Sequence, residues 1–291
     1  MEVDRFIAEQ VAGFAKDDRA TSRRLLRQLI AERLGLPESH LLSHPERELP
    51  AELVSDLREE VQRLQAGQPW AYSFGHVPFL EDSFRIDRRA LVPRPETEEL
   101  TRLFIERHRT KPPTTILDMC CGSGVIGLSL ARAFPRSRVW LTDLSQEALS
   151  LGRENAASLA LQDRVTFLQG DLWEAVRRGV HATLRFDLVI ANPPYVAEND
   201  TLDDSVIAFE PPLALFSEDD GQKHIKIILK DLYRFLAVPG RAGFELGHYH
   251  HQTLTNFLQQ NFDTGDYNWE LDQHGVPRFL VFDRGAKGHA E

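Results

Sequence analysis

The stretch "TTILDMCCGSGVIGLSLARAF", residues 114–134, decides the fold. Ile116 and Leu117 open a short apolar run that ends at Asp118-Met119. The loop Cys120-Cys121-Gly122-Ser123-Gly124 follows, and glycines there allow a tight turn and close approach of backbone N–H groups to a ligand. "VIGLSLARAF" then has helical spacing, so the unit reads strand, glycine loop, helix. The pattern repeats outward. "RVWLTD" (138–143) is a strand, "SQEALSLGRENAASLAL" (145–161) a helix, "RVTFLQGD" (164–171) a strand, and "FDLVIA" (186–191) another. Later come a helix, "KHIKIILKDLYRFL" (223–236), a strand, "RAGFEL" (241–246), and a helix, "HQTLTNFLQQ" (251–260). "NWELD" (268–272) and "RFLVFD" (278–283) close the chain as two strands around a loop. Strands alternating with helices predict an α/β class fold with a doubly wound, mostly parallel sheet.

Residues 1–68 are expected to be all helical. "SRRLLRQLIAERLGL" (22–36) spaces Leu25, Leu26, Leu29, Ile30 and Leu34 helically and ends at Gly35 and Pro37. "PAELVSDLREEVQRLQAG" (50–67) repeats this with Leu53, Leu57, Val61 and Leu64. Such a segment is a small bundle, or a bundle that docks a partner. Residues 69–92 are rich in aromatics between turn residues and read as a β-hairpin linker. The α/β domain is then expected over 93–284, with a frayed tail over 285–291.

The chain has 291 residues, 42% hydrophobic and 27% charged, with a formal net charge of −10. That charge argues against a duplex nucleic acid as the direct substrate. No apolar run approaches a membrane span or a signal-peptide core. The two cysteines are adjacent and too few for a zinc set, so they are expected to be reduced, in the cytoplasm.

In doubly wound sheets, ligands bind outside the carboxyl ends of the strands. Asp118 ends the first strand, before the loop Cys120, Cys121, Gly122, Ser123, Gly124. Asp143 ends the second, at the position where a carboxylate accepts both hydroxyls of a ribose. Gly170-Asp171 ends the third, where an adenine would lie. An acid at the head of the glycine loop suits a cationic ligand and disfavours a pyrophosphate. S-adenosyl-L-methionine fits, with its ammonium, sulfonium and ribose.

"FDLVIANPPYV" (186–196) ends a core strand on two prolines, which donate no backbone hydrogen bond. The Asn192 side-chain oxygen and the Pro193 carbonyl are two acceptors that can converge on one planar NH2. Pro193 and Pro194 stiffen that geometry, and Tyr195 can stack on the flat face of an amide or a base. Either a carboxamide or the exocyclic amine of a base satisfies this arrangement.

Taken together, "LVPRPETEEL" (91–100), "ILDMCCGSGVIGLSLA", "TDLSQEAL", "GDLWE", "IANPPYV" and "FEPPLALFSEDDG" (209–221) resemble the HemK/PrmC-type protein-glutamine N5-methyltransferases, which modify bacterial peptide chain release factors. The likeness extends through "RLQAGQPWAYSFG" (63–75) and spans nearly the whole chain. It implies methyl transfer from S-adenosyl-L-methionine, leaving S-adenosyl-L-homocysteine, to the glutamine of a Gly-Gly-Gln loop. It implies that the N-terminal domain grips the release factor. It also implies a cofactor loop at Cys120–Gly124, a ribose acid at Asp143, Leu172 bordering the adenine beside Asp171, and Asn192–Tyr195 holding the glutamine, with Asn192 also against the cofactor. The family usually has glycine where Cys120 stands, and a cysteine in left-handed backbone would be strained.

A sister family acting on a ribosomal protein tends to lack the Pro-Glu-Thr-Glu of "RPETEE" and keeps His-Glu-Pro where this chain has Phe209-Glu210-Pro211. Adenine-N6 methyltransferases share the Asn-Pro-Pro-Tyr motif but must extrude a base and bind phosphate. A cofactor-sensing adaptor without catalysis would not need that motif intact. "HYHH" (248–251) heads a helix and lacks matching acids, so no metal is expected there. Glu96 and Glu98 serve the dipole of the helix they start.

Overall fold

Apolar residues at three- and four-residue spacing build the first unit of the chain. In the computed structural model, which describes residues 1–285, this unit comprises Met1–Gly75 together with Leu202–Phe209. Its helices are α1 (Val3–Val11), α2 (Arg19–Leu34), α3 (Glu38–Ser43), α4 (Ala51–Gln65) and α5 (Trp70–Phe74). Phe6 and Ile7 of α1, Leu26, Leu29 and Ile30 of α2, and Leu57 and Val61 of α4 are essentially inaccessible to solvent and form one core. Each such side chain contributes about 1.5–3 kcal/mol by leaving water. Gly35, at φ +65°, ends α2 and donates to the Ala31 carbonyl, the expected stop. The guanidinium of Arg19 donates to the Ala12 and Phe14 carbonyls at the end of α1.

The linker differs from its expectation. Trp70–Phe74 is helical because Trp70 and Phe74, one turn apart, pack on the core of the helical unit. The hairpin is confined to β1 (His76–Phe79) and β2 (Asp82–Arg85), with Leu80 and Glu81 at the turn. The short helix Asp204–Phe209, absent from the sequence expectation, lies with the helical unit. There Gly67 approaches Ser205 so closely that an added Cβ would lie 2.5 Å from the serine Cβ.

The second unit, His76–Thr201 with Glu210 onward, carries the sheet. Helix α6 (Pro95–Arg107) opens with proline, as expected. Then follow β3 (Thr115–Met119), α7 (Val125–Ala133), β4 (Arg138–Asp143), α8 (Gln146–Ser158), β5 (Val165–Gln169), α9 (Trp173–Gly179), β6 (Phe186–Ala191), α10 (Lys223–Phe235) and β7 (Leu236–Glu245). Two short helices, His250–Thr253 and Thr255–Asn261, precede β8 (Tyr267–Leu271) and β9 (Pro277–Arg284). The strand order is β5-β4-β3-β6-β7-β9-β8, with the β7–β9 and β8–β9 pairs antiparallel and the rest parallel.

This is the doubly wound, mostly parallel sheet expected from the alternation. Residue parity sorts its two faces. Ile116 packs with Leu100 and Phe104 of α6, Leu128 of α7 and Leu149 of α8. Leu117 and Met119 face the opposite cluster, with Trp173 and Val176 of α9 and Ile228 and Leu232 of α10. Helix α9 was not legible in the sequence pattern. It is held by Trp173, which is fully buried, donates to the Ile228 carbonyl at 2.9 Å and stacks on Phe235.

Among the described residues no helix is long and apolar enough to cross a membrane. The expected frayed tail falls, from residue 286, outside the described residues.

Candidate active site

Strand order reverses beside β3, where β4 lies on one side and β6 on the other, so the crevice opens at their carboxyl ends. A cavity of about 310 Å³ sits there. The ends of β3, β4, β5 and β6 bring to its wall Cys120, Cys121, Gly122 and Ser123, then Asp143, then Gly170, Asp171 and Leu172, then Asn192 and Pro194. Residues far apart in sequence meet because parallel strands end on the same edge.

The glycine loop is pinned from several sides. Cys121 N–H donates to the Thr142 carbonyl, and Gly124 N–H to the Cys121 carbonyl at 2.8 Å. Gly122 N–H donates to Asp143 Oδ2 at 2.9 Å. Asn155 of α8, fully buried, donates to the Ser123 and Arg85 carbonyls and accepts from Arg85 N–H. Asn155 thus ties the loop to the hairpin, a role the sequence did not signal. Gly124, at φ +83°, starts α7 and lies outside the cavity wall.

Cys120 has φ +58°, so the cysteine does occupy a left-handed position. Such backbone costs a residue with a Cβ about 1–2 kcal/mol, while glycine costs about 0.5–1 kcal/mol in unfolded-chain entropy. The variant Cys120→Gly is expected to keep its thermal midpoint or raise it by about 2 °C. Cys120→Val, β-branched, is expected to lower it. A clear fall for the glycine variant would mean that packing of the thiol outweighs the strain. Burial holds both thiols well above the ordinary cysteine range, and neither is paired. Neither is therefore a ready thiolate nucleophile.

Asp118 requires a correction. It shares a strand face with Ile116 beneath α7, is fully buried, and does not line the cavity. Its Oδ2 accepts Gly127 N–H at 2.8 Å, and burial pushes the carboxyl up to about 8. It is largely protonated at neutral pH. Its place is behind the loop, where it anchors α7, rather than against a cationic ligand.

Asp143 lies at the cavity wall, where the sequence placed the ribose acid. Its Oδ2 accepts from Gly122 and its Oδ1 from Ser145 N–H at 2.9 Å. Burial raises its carboxyl, and those backbone donors oppose the shift. Each oxygen keeps acceptor capacity for a further donor. Leu144 and Leu213 line the cavity yet are 49% and 50% exposed. With Leu172, at φ +45°, they offer an apolar wall suited to a flat base. His224 of α10, bonded to Ser217 Oγ at 2.7 Å, also reaches this end. The carboxylate, the glycine loop and the apolar wall together fit S-adenosylmethionine.

On the other side of the crevice, Asn192 is half-buried and Nδ2 donates to Thr97 Oγ1 at 3.1 Å. Its Oδ1 has no protein partner among the described residues. Thr97 donates to Glu245 Oε2 at 2.7 Å, and the Tyr195 hydroxyl to Glu245 Oε1 at 3.3 Å. Tyr195 and Pro193 flank the wall residues Asn192 and Pro194 without lining the cavity themselves. Burial raises the phenol, so it remains protonated.

Glu210, almost inaccessible, accepts from Val92 N–H at 3.1 Å and Arg94 at 2.6 Å. It thereby joins the stretch containing Ala90, Leu91 and Pro93 to that containing Pro211–Ala214, two parts of the cavity wall. Arg89, also on the wall, is gripped by Asp87 and by Glu154 at 2.6 Å. Thr97 and Glu210 stand in quoted motifs, but Glu245 and Arg89 carried no sequence signal beyond their charge. Among the described residues no cluster of histidine, cysteine or acidic side chains could hold a metal, including the His248–His251 run.

Two family models match the chain. One, the PrmC N-terminal domain, covers residues 8–75, and the other, the methyltransferase small domain, covers 94–209. The release factor glutamine methyltransferase of Enterococcus faecalis is 31% identical over 252 residues, 86% of this chain and 88% of that protein. The protein of the same name from Koribacter versatilis is 33% identical, covering 85% and 86%. That from Lactococcus lactis is 36% identical, covering 77% and 80%. Among solved structures, the catalytic domain of hMettl16 in complex with a MAT2A 3′UTR hairpin superimposes with a TM-score of 0.51 at 14% identity, over 69% of this chain and 74% of that one. At that identity the likeness concerns the fold alone.

Proposed function

Because this chain belongs to the release factor glutamine methyltransferases, we propose that its substrate is the Gly-Gly-Gln glutamine of class I peptide chain release factors. The methyl group of S-adenosyl-L-methionine goes to the side-chain amide nitrogen, N5, and S-adenosyl-L-homocysteine is released. The helical unit docks the release factor. The observation that carries this reading is the orientation of Asn192, whose NH2 is engaged by Thr97 while its Oδ1 is left as an acceptor at the cavity.

When bound, the cofactor supplies an electrophilic sulfonium methyl. Asp143 holds its ribose hydroxyls, Leu144, Leu172 and Leu213 border its base, and the loop Cys120–Ser123 shapes its bed. An amide nitrogen is a poor nucleophile because its lone pair is delocalised. Asn192 Oδ1 and the Pro193 carbonyl accept its two N–H bonds, fix its approach, and stabilise the positive charge that develops on it. Pro193 and Pro194 limit backbone freedom at the point where this geometry is set. No side-chain base is required, since the alkylated nitrogen is acidic and its proton passes to water.

Labelled cofactor incubated with release factor tests this reading. Label is expected in the intact protein and absent when the Gly-Gly-Gln glutamine is alanine. Label in duplex DNA and none in release factor would replace this reading with adenine-N6 transfer.

A further inference from the structure

The two ends of the Asn192 side chain are chemically opposite, and only the oxygen can receive an N–H. Something must therefore set which end faces the crevice. Beside Asn192 runs a relay of one hydroxyl, that of Thr97 on the cavity wall, and one carboxyl, that of Glu245. Thr97 is 3% exposed and Glu245 1%. Their contact of 2.7 Å joins the start of α6 to the end of β7.

We propose that Glu245 is a positioning residue for methyl transfer: through Thr97 it fixes the Asn192 amide with its oxygen toward the substrate. The inference rests on the reading that Asn192 Oδ1 receives the substrate amide.

A threonine hydroxyl has one proton to give. Donated to an ionised Glu245, it leaves Thr97 with lone pairs only, which accept from the Asn192 NH2 at 3.1 Å. The flipped amide would set its oxygen against those lone pairs and point an NH2 at the substrate NH2. A carboxylate has no proton to return, so the relay has a single polarity. The Tyr195 hydroxyl donates to the other Glu245 oxygen and reinforces it. Thr101 does not compete, since its hydroxyl goes to the Thr97 carbonyl at 2.8 Å. A protonated Glu245 can donate to Thr97 and free the threonine proton to point at Asn192. Both orientations of the amide are then satisfied, and the bias is lost.

The groups around Glu245 place this change in the working range. Burial raises its carboxyl most, and Glu96 on α6 adds to that. Thr97, Tyr195 and Arg278 of β9 oppose it, and the balance lies at about 7. Turnover is therefore expected to fall as pH drops through about 7. Stability runs the other way. A carboxyl whose folded value is raised contributes stability that is full below its unfolded value and is lost as pH rises through the folded one. Loss of rate on acidification is thus separable from unfolding.

The test is kcat, KM and thermal midpoint against pH for wild type, Glu245→Gln, Thr97→Val and Thr97→Ser, with cofactor affinity measured by calorimetry. Glu245→Gln is expected to lower kcat by about 10–100-fold and to remove the acid limb, with cofactor affinity little changed. Thr97→Val lowers kcat comparably, and Thr97→Ser restores both the rate and the limb. Should Glu245→Gln fail to fold, the Thr97 pair decides. Wild-type kcat with the acid limb intact in Glu245→Gln, or identical rates for Thr97→Val and Thr97→Ser, would overturn the proposal. Asn192→Ala in the same assay separates the two levels. If it is inactive while Glu245→Gln is normal, only the positioning role falls. If Asn192→Ala is itself normal, the underlying reading of the site falls.

Discussion

Asn192→Ala is expected to lower kcat by about 10²–10³-fold, the usual cost of one preorganised polar contact to developing charge, and to leave cofactor affinity little changed. The asparagine borders the cavity as one of many wall residues, so cofactor binding loses little with it. The substrate amide loses far more. One of its two N–H bonds loses its acceptor, and the nitrogen is free to turn away from the methyl group. Because the missing contact strengthens as nitrogen becomes positive, the loss falls mainly on kcat rather than on KM. Steady-state rates combined with a cofactor titration measure both. An equal loss of turnover and cofactor affinity would assign Asn192 to the cofactor instead.

Asp143→Ala does the reverse. The carboxylate is held by Gly122 and Ser145 N–H groups and faces the crevice. On the proposed reading, removing it deletes the acceptor for two ribose hydroxyls, and it releases the Gly122 N–H that shapes the loop. Hydrogen bonds to a charged group are worth about 1.5–3 kcal/mol each, so the cofactor dissociation constant is expected to rise about 10²-fold or more. At saturating cofactor the rate recovers to near wild type, because Asn192 and Pro193 are untouched. Calorimetry supplies the affinity, and unchanged binding would remove Asp143 from the ribose site.

Much of the fold was legible because its signals are local. The strand–loop–helix of residues 114–134 and the apolar runs of β4 and β6 each declare themselves within a few residues. The proline stop at Asn192–Tyr195 and the acid at Asp143 are local as well, and strand ends in such sheets converge on one crevice. Asp118 stands at a strand end, which points to the crevice, but its parity along the strand decides its place. It lies two residues from Ile116 and so shares that residue's buried face beneath α7. Trp70 and Phe74 looked like strand aromatics, yet their four-residue separation suits a helix turned toward the helical core.

The relay beside Asn192 has no local signature, since Thr97 and Glu245 are 148 residues apart and meet only through tertiary packing. Asn155 is a similar case, a buried polar side chain whose partners come from distant segments, with no local pattern to mark it.

A structure of this protein with S-adenosyl-L-homocysteine and a Gly-Gly-Gln peptide examines the clasp itself. Both Asn192 Oδ1 and the Pro193 carbonyl should lie within about 3.2 Å of the glutamine nitrogen, with that nitrogen directed at the sulfur. An Asn192 that presents its NH2 to the peptide, or turns from the sulfur altogether, would contradict the account.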